Sequence, residues 1–214
     1  MRQISLHQVL PQVFAQREDL VSDVWKTEVT FEQGKTCLVE AESGKGKSTF
    51  CSYLLGYRHD YTGTILFDAD DVRRYTISHW VDVRQRHISL LFQEMRLFPE
   101  LTAWENVEIK NRLTRHITMG DVLRWFEMLG IEEKLHVKAG LLSQGQQQRV
   151  AFIRALTQPS DFLVVDEPIS HLDDVNAQLM ADIVRQVKEQ TQCGVIVTSI
   201  GKQLPLEYDT ILKL

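Results

Sequence analysis

The sequence has few cysteines and no metal-binding spacing among them. Three of the 214 residues are cysteine, Cys37, Cys51 and Cys193, and none belongs to a CxxC pair. An odd count without that spacing indicates neither a disulfide framework nor a zinc site. Each cysteine lies beside apolar or small residues, so we expect buried free thiols in a reducing compartment.

Long apolar runs are also missing. No stretch approaches the roughly 20 apolar residues that span a bilayer, and residues 1–8 lack the continuous apolar core of a secretory signal. We therefore expect a cytoplasmic protein that reaches a membrane only through a partner.

An excess of positive charge is absent as well. The chain has 24 Lys and Arg against 29 Asp and Glu, a net charge of −5 with a pI near 5.8. This balance gives no electrostatic reason to expect nucleic acid as a partner. Low-complexity tracts, internal repeats and flexible linkers are absent too, so we predict one domain over residues 1–214.

What the sequence does contain is the succession of short apolar strands and helices that is typical of an α/β domain. We predict strands over 24–31, 36–39, 63–67, 88–92, 162–165 and 195–198, and helices over 48–56, 122–129, 143–157 and 174–189. Asp121 is the predicted cap of the helix at 122–129, and Thr102 with Glu105 has the spacing of a capping box. The stretch from 93 to 142 is mainly helical in character. The predicted division is an α/β core over 1–92 and 156–214, with a helical subdomain over 93–155.

Residues 41–49 read Ala-Glu-Ser-Gly-Lys-Gly-Lys-Ser-Thr and join a buried strand to a helix, which is the context of a phosphate-binding loop. The glycines let backbone N–H groups converge on phosphate oxygens, and the helix N-terminus adds donors. Lys47 can reach the β- and γ-phosphates, and the Ser48 hydroxyl can ligate Mg²⁺. The alternative, a glycine turn with a fortuitous lysine, is disfavoured by this context. The predicted ATP ligands here are Ser43, Gly44, Lys45, Gly46, Lys47, Ser48 and Thr49.

Two carboxylates follow the apolar strand at 162–165. Asp166 suits the hydration shell of Mg²⁺, and Glu167 can orient and deprotonate an attacking water. Many buried strands end in an acid, so the pair is informative because the phosphate loop accompanies it. Together they predict nucleotide hydrolysis.

At this point the chain resembles the ABC ATPase family over nearly its full length. Residues 142–151, Leu-Ser-Gln-Gly-Gln-Gln-Gln-Arg-Val-Ala, are similar to the family signature LSGGQ, and Ser143 stands 23 residues before Asp166. The resemblance implies a P-loop core with an antiparallel β subdomain and an inserted helical subdomain. It also implies that Ser143, Gln144, Gly145 and Gln146 contact ATP bound to a second cassette. Taken alone, residues 143–146 would be better explained as a capping box that starts a surface helix, but the accompanying motifs favour the signature.

Other segments match further family motifs. Gln93 matches the Q-loop glutamine, which implies contact with Mg²⁺ or the attacking water. Asp173, in Ser-His-Leu-Asp at 170–173, matches the D-loop. The segment 91–102 resembles the branch that serves lipoprotein-release, macrolide-export and cell-division complexes. Phe14 lies where the family stacks an aromatic ring on adenine, with Trp25 as the second choice, and core packing explains each of them at least as well.

Three positions depart from the family pattern. Ala41 replaces the first glycine of the phosphate loop, Gln144 replaces the first glycine of the signature, and Ser199 stands where the family has its switch histidine. A serine hydroxyl is short and cannot carry the positive charge that a histidine offers a γ-phosphate. We therefore predict a slow ATPase, with Glu167, Gln93 and Ser199 as the catalytic positions.

The resemblance implies an ATP-binding and hydrolysing subunit that dimerises around MgATP beneath integral membrane permease subunits. It would be attached peripherally to the inner face of the cell membrane, and a homodimer is favoured over a heterodimer. The alternative is a soluble or regulatory ABC ATPase, acting in mechanical signalling across the membrane or in iron–sulfur cluster assembly, which uses ATP binding as a switch.

Overall fold

The structure is a computed structural model, and it describes residues 1–17, 19–42, 44–169 and 172–214. The strands are β1 (Gln3–Pro11), β2 (Glu28–Glu32), β3 (Thr36–Glu40), β4 (Tyr61–Phe67), β5 (Asp70–Asp71), β6 (Ile88–Leu91), β7 (Phe162–Asp166), β8 (Gly194–Ser199) and β9 (Thr210–Lys213). The α-helices are α1 (Lys47–Leu54), α2 (Ile77–Asp82), α3 (Ala103–Thr114), α4 (Met119–Met128), α5 (Gln144–Leu156) and α6 (Asp174–Thr191).

The strands form two sheets. One is antiparallel, in the order β2-β1-β4-β5, and the other is parallel, in the order β6-β7-β8-β3-β9. Strand β8 therefore lies between β7 and β3, and it pairs with both in parallel. This arrangement confirms the predicted fold class, including the antiparallel subdomain that the family resemblance implied.

The parallel sheet lies between two apolar cores because successive side chains of a strand point to opposite faces. In β7, Leu163 and Val165 face a core shared with the helices, whereas Phe162 and Val164 face a core shared with the antiparallel sheet and α1. Strands buried on both faces are near-continuous apolar runs, as in this sequence. The helices of the 93–155 segment share the first core with the sheet, and their elements span residues 103–156.

Local capping explains where the helices start. Thr102 with Glu105 and Ser143 with Gln146 form the predicted capping boxes of α3 and α5. The predicted start of α4 is wrong: the helix begins at Met119 because the Thr118 side chain accepts the backbone N–H of Asp121. Asp121 therefore lies in the first turn of the helix, where a negative charge also suits the helix dipole.

The predicted strand over 24–31 is shorter in the structure, where β2 begins at Glu28. The Ser22 hydroxyl accepts the backbone N–H groups of Val24 and Trp25, which holds the preceding residues in a turn. Among the helices that the structure describes, none is both long and apolar enough to cross a membrane.

Candidate functional site

The carboxyl ends of the parallel strands bring the predicted motifs to one edge of the sheet. The phosphate loop follows β3, Gln93 follows β6, Glu167 follows β7, and Ser199 ends β8. Open parallel sheets bind ligands at this edge. A groove of about 370 Å³ lies there. It is lined by Val13, Phe14, Arg17, Gly44, Gly46, Lys47, Ser48, Thr49, Arg58, Gln93, Glu167 and Ile200.

The phosphate loop adopts a backbone that requires glycine. Gly46 has φ +105° and is the N-cap of α1, so the loop leads directly into the helix N-terminus. A Cβ atom at Gly46 would lie 2.9 Å from a ring carbon of Phe14, which is closer than packing allows. Gly44 also has a positive φ, +78°, but open space around it. Conformation alone therefore selects glycine at Gly44, and conformation with close packing selects it at Gly46.

Lys47, Glu167 and Gln93 form the polar centre of the groove. The Lys47 ammonium lies 3.4 Å from Glu167 Oε1, and Gln93 Nε2 donates to Glu167 Oε2 at 3.1 Å. The Lys47 and Glu167 side chains are only 6% and 12% exposed, so little water screens the pair. Three residues that sequence reasoning assigned to separate motifs thus meet around one carboxylate.

Asp166 lies behind this centre, at the end of β7. It is buried, and its Oδ1 accepts a hydrogen bond from the Thr198 hydroxyl on the neighbouring strand. Burial raises the pKa of the Asp166 carboxyl, and the hydrogen bond from Thr198 opposes that shift. The bond leaves the second carboxylate oxygen for another ligand.

The oxygen donors proposed for a cation fit a hard divalent ion. Ser48 has an exposed hydroxyl, and Asp166 has a second carboxylate oxygen that Thr198 does not bind. Gln93 donates from its NH₂ group to Glu167, so its amide oxygen can still accept or ligate. Mg²⁺ is held by few protein oxygens together with substrate phosphates. The described residues contain no cluster of three or more His, Cys, Asp or Glu that could hold a metal ion.

Phe14 lies in the groove, but its ring is only 3% exposed. It packs on Gly46, and the Arg17 guanidinium lies over the ring at 4.9 Å from its centre. The surface offered to a ligand at this end therefore belongs to exposed Val13 and Arg17 rather than to the Phe14 ring. Trp25 is buried in the core behind the loop and donates to the Lys45 carbonyl, as the packing alternative predicts.

Arg58 is a groove residue that sequence reasoning missed. Its guanidinium forms a two-pronged contact with Asp60 and donates from Nη1 to the Thr49 hydroxyl at 3.1 Å. The Tyr53 ring lies beneath it at 5.9 Å, and the Tyr53 hydroxyl donates to the Asp60 carbonyl. No sequence motif marks this arginine, because only the folding of the chain after α1 returns it to Thr49.

Ser199 does not face the groove. Its side chain is buried, and its hydroxyl donates to the carbonyl of Lys202. The carbonyl of Ser199 accepts the N–H of Ala41 at 3.1 Å, which ties the end of β8 to the start of the phosphate loop. The groove is lined instead by Ile200. The structure thus supplies no hydroxyl from Ser199 at this surface.

The signature residues are absent from the lining of this chain's groove. Ser143 and Gln144 are exposed at the start of α5, with Ser143 and Gln146 in a reciprocal capping box. Asp173 caps α6 by accepting the N–H of Asn176, and this hydrogen bond lowers the pKa of its carboxyl.

Three residues named in the sequence motifs lie outside the described part of the chain. These are Ser43, Ser170 and His171.

A sequence profile described as ABC transporter matches residues 25–170. The chain is 33% identical over 181 residues to an ABC transporter ATP-binding protein of Thermotoga maritima, covering 79% of this chain and 75% of that one. It is 30% identical over 210 residues to the ABC transporter ATP-binding protein YtrE of Bacillus subtilis, covering 92% and 90%. It is 35% identical over 185 residues to the phosphonates import ATP-binding protein PhnC of Rhizobium meliloti, spanning 78% of this chain and only 64% of that protein.

Solved structures share the architecture. The dimeric structure of MJ0796, a bacterial ABC transporter cassette, has a TM-score of 0.78 at 25% identity and covers 92% of this chain and 87% of that one. An ATP-bound bacterial Atm1-family ABC exporter has a TM-score of 0.79 over 100% of this chain and 37% of that one, and its 21% identity shows the fold alone. By its profile match, its relatives and its fold, the chain belongs to the ABC transporter family as an ABC ATPase.

Proposed function

We propose that this chain is the ATP-binding and hydrolysing subunit of an ABC transporter complex, which dimerises around MgATP and drives conformational change in separate membrane subunits. The observation that carries the proposal is the contact of Lys47 and Gln93 with one carboxylate, Glu167, beside a phosphate loop. One edge of the sheet thus holds an ammonium that can bind phosphate (Lys47), a carboxamide (Gln93) and a carboxylate that can act as a general base (Glu167).

The proposed binding roles follow the groove. Backbone N–H groups from Gly44 to Thr49, at the start of α1, receive phosphate oxygens, and Lys47 neutralises the β- and γ-phosphates. The adenine ring lies toward Phe14, where exposed Val13 and Arg17 line the groove. Five of the predicted ATP ligands line the groove, which supports their role: Gly44, Gly46, Lys47, Ser48 and Thr49.

The proposed hydrolytic roles centre on Glu167. When phosphate draws the Lys47 ammonium away, the carboxylate is released to orient and deprotonate water, and Gln93 holds its second oxygen. Ser48, Gln93 and Asp166 would hold Mg²⁺, which when bound neutralises charge that develops on the transferred phosphoryl group. The Thr198 hydroxyl orients the Asp166 carboxylate for that role.

The proposed partners are a second cassette and integral membrane permease subunits. The signature residues do not line this chain's own groove, which supports their action on ATP bound to a second copy, and MJ0796 is a dimeric cassette. An identical chain is the proposed second copy. YtrE is named as an ABC transporter ATP-binding protein and PhnC as a phosphonates import ATP-binding protein, and these names support a role in transport. We propose on that basis that permease subunits attach this chain to the inner face of the membrane. The assignment to the lipoprotein-release, macrolide-export and cell-division branch remains a prediction.

The proposed turnover is slow. The hydroxyl of Ser199 is bound to the Lys202 carbonyl, so it offers nothing to a γ-phosphate at the position of the family's histidine. The same substitution, with Ala41 and Gln144, favours the second candidate, a regulatory ABC ATPase that uses ATP binding as a switch in mechanical signalling or iron–sulfur cluster assembly.

The test is steady-state MgATP hydrolysis by the wild type, Glu167→Gln and Ser199→His, together with purification from detergent to identify bound membrane subunits. We expect slow hydrolysis by the wild type, loss of at least about 100-fold in Glu167→Gln, and faster hydrolysis in Ser199→His. Unchanged turnover in Glu167→Gln contradicts the assignment of the base. If the chain binds ATP but does not hydrolyse it, and no membrane subunit co-purifies with it, the result supports the regulatory ABC ATPase instead.

A further inference from the structure

We propose that Gln148 is a positioning residue for Glu167, and that it couples the signature segment of each chain to the general base of that same chain. Gln148 lies in α5, whose first turn carries the signature residues, and its side chain is 2% exposed. Its Nε2 donates to the backbone carbonyl of Glu167 at 3.3 Å. The inference rests on the proposed function, since it deepens the role given there to Glu167.

The backbone of Glu167 needs such support. Its φ is +49°, in the left-handed region that residues other than glycine rarely occupy. The next residue is Pro168, and a following proline further favours extended backbone. A conformation of this kind persists only when surrounding contacts hold it. The strained residue is the one whose side chain reaches both Lys47 and Gln93.

Two hydrogen bonds hold Glu167 from opposite sides. Its N–H donates to the Thr198 carbonyl at 3.1 Å, which is a contact within the parallel sheet. Its carbonyl accepts from Gln148, which is a contact from the helical segment. The amide orientation is required chemically, since a carbonyl can only accept and the Gln148 oxygen would repel it. The sheet thus fixes one side of the base and the signature helix fixes the other.

The other polar atom of the Gln148 amide is left unsatisfied. Its side-chain oxygen is buried and has no hydrogen-bond partner among the residues that the structure describes. A buried amide oxygen without a partner is destabilising, so packing alone would favour an apolar side chain here. The polar residue is explained by its bond to Glu167.

The consequence concerns the dimer. The signature residues of one chain contact ATP on the other, whereas Glu167 acts on ATP bound to its own chain. Gln148 lies five residues after Ser143 on the same helix, so movement of α5 at one composite site bears directly on the base of the second. Occupation of the two sites is then coupled through a bond inside each subunit.

The experiment compares Gln148→Met, which has similar size but no donor, with Gln147→Met as the matched control. Gln147 is the neighbouring glutamine, and its Nε2 donates only to the Leu142 carbonyl among the bonds that the structure gives it. For Gln148→Met we expect kcat about tenfold lower, ATP affinity within about twofold of the wild type, and a Hill coefficient for ATP lowered toward one. For Gln147→Met we expect kcat, affinity and Hill coefficient close to the wild type.

A second variant separates positioning from packing. In Gln148→Glu, the introduced carboxyl can donate to the Glu167 carbonyl only when protonated. The ratio of the kcat of Gln148→Glu to that of the wild type should therefore rise as pH falls. The ratio is measured over a pH range in which the thermal stability of the wild type does not change. Equal kcat and Hill coefficient in Gln148→Met and the wild type would overturn the proposal, as would a pH-independent ratio for Gln148→Glu. Failure of the wild type itself to hydrolyse MgATP would instead count against the proposed function.

Discussion

The ion pair between Lys47 and Glu167 predicts that the general base competes with nucleotide phosphate for the same ammonium. Glu167→Gln removes the charge but keeps the shape and an oxygen that can accept from Gln93. We therefore expect Glu167→Gln to bind MgADP more tightly than the wild type. ADP is the appropriate ligand because it carries the β-phosphate that Lys47 would contact and cannot be hydrolysed at a γ-phosphate.

The magnitude follows from the geometry. At 3.4 Å and an effective dielectric constant of about 20, two unit charges attract by about 5 kcal/mol. Desolvation of both groups offsets most of this attraction, since both side chains are largely buried. A net competition of about 1–2 kcal/mol remains, which corresponds to about 5- to 30-fold tighter binding of MgADP.

The assay is isothermal titration of MgADP at a protein concentration where the chain is monomeric, with Glu94→Gln as control. Glu94 carries the same charge close to Asp166, but its side chain is 69% exposed and its nearest cation is Arg96 at 3.9 Å. We expect affinity within about twofold of the wild type for Glu94→Gln. Equal affinity in Glu167→Gln and the wild type would refute the competition, and equal tightening in both variants would show a general charge effect.

Three further predictions concern other parts of the structure. Arg58→Gln should weaken the binding of ATP and of ADP by the same factor, about fivefold, because the guanidinium reaches Thr49 rather than the γ-phosphate end of the groove. Titration of both nucleotides checks this prediction, and a loss of affinity confined to ATP would contradict it. Ser143→Ala should lower the free energy of unfolding by about 1 kcal/mol, similarly to Thr118→Ala, in urea melts; an unchanged midpoint would show that the cap is dispensable. Burial lowers the pKa of Lys110 from 10.5 to about 7, so between these values the unfolded chain binds a proton that the folded chain lacks, and stability rises with pH. Lys110→Met should remove that rise, so that the difference in stability between the variant and the wild type narrows from pH 7 to pH 9.5, as urea melts at both pH values would show.

Gly46 and Asp121 differ in how completely the neighbouring sequence decides their roles. The pattern of residues 41–49 predicts that Gly46 is a phosphate-loop residue, and the structure gives it a backbone that only glycine adopts easily. That requirement is local, so the pattern of neighbouring residues reveals it. The cap of α4 is also a local feature, but both Thr118 and Asp121 are suitable N-cap residues. Capping by Thr118 lets the helix start about one turn earlier, and this is the cap that the structure shows.

The sequence by itself determined which chemical groups this protein has and at which strand ends they stand. Glycines that require a positive φ, a lysine at a helix start and acids after a buried strand are local features, and their order along the chain identified the ABC ATPase family. Only the tertiary structure decided which groups meet. Strands β7 and β3 end at the same edge of the parallel sheet, where Glu167 meets Lys47. The chain after α1 returns Arg58 to Thr49, and the packing of α5 brings Gln148 to the Glu167 carbonyl. These contacts depend on strand order and helix packing between residues far apart in the chain, and no local spacing encodes them.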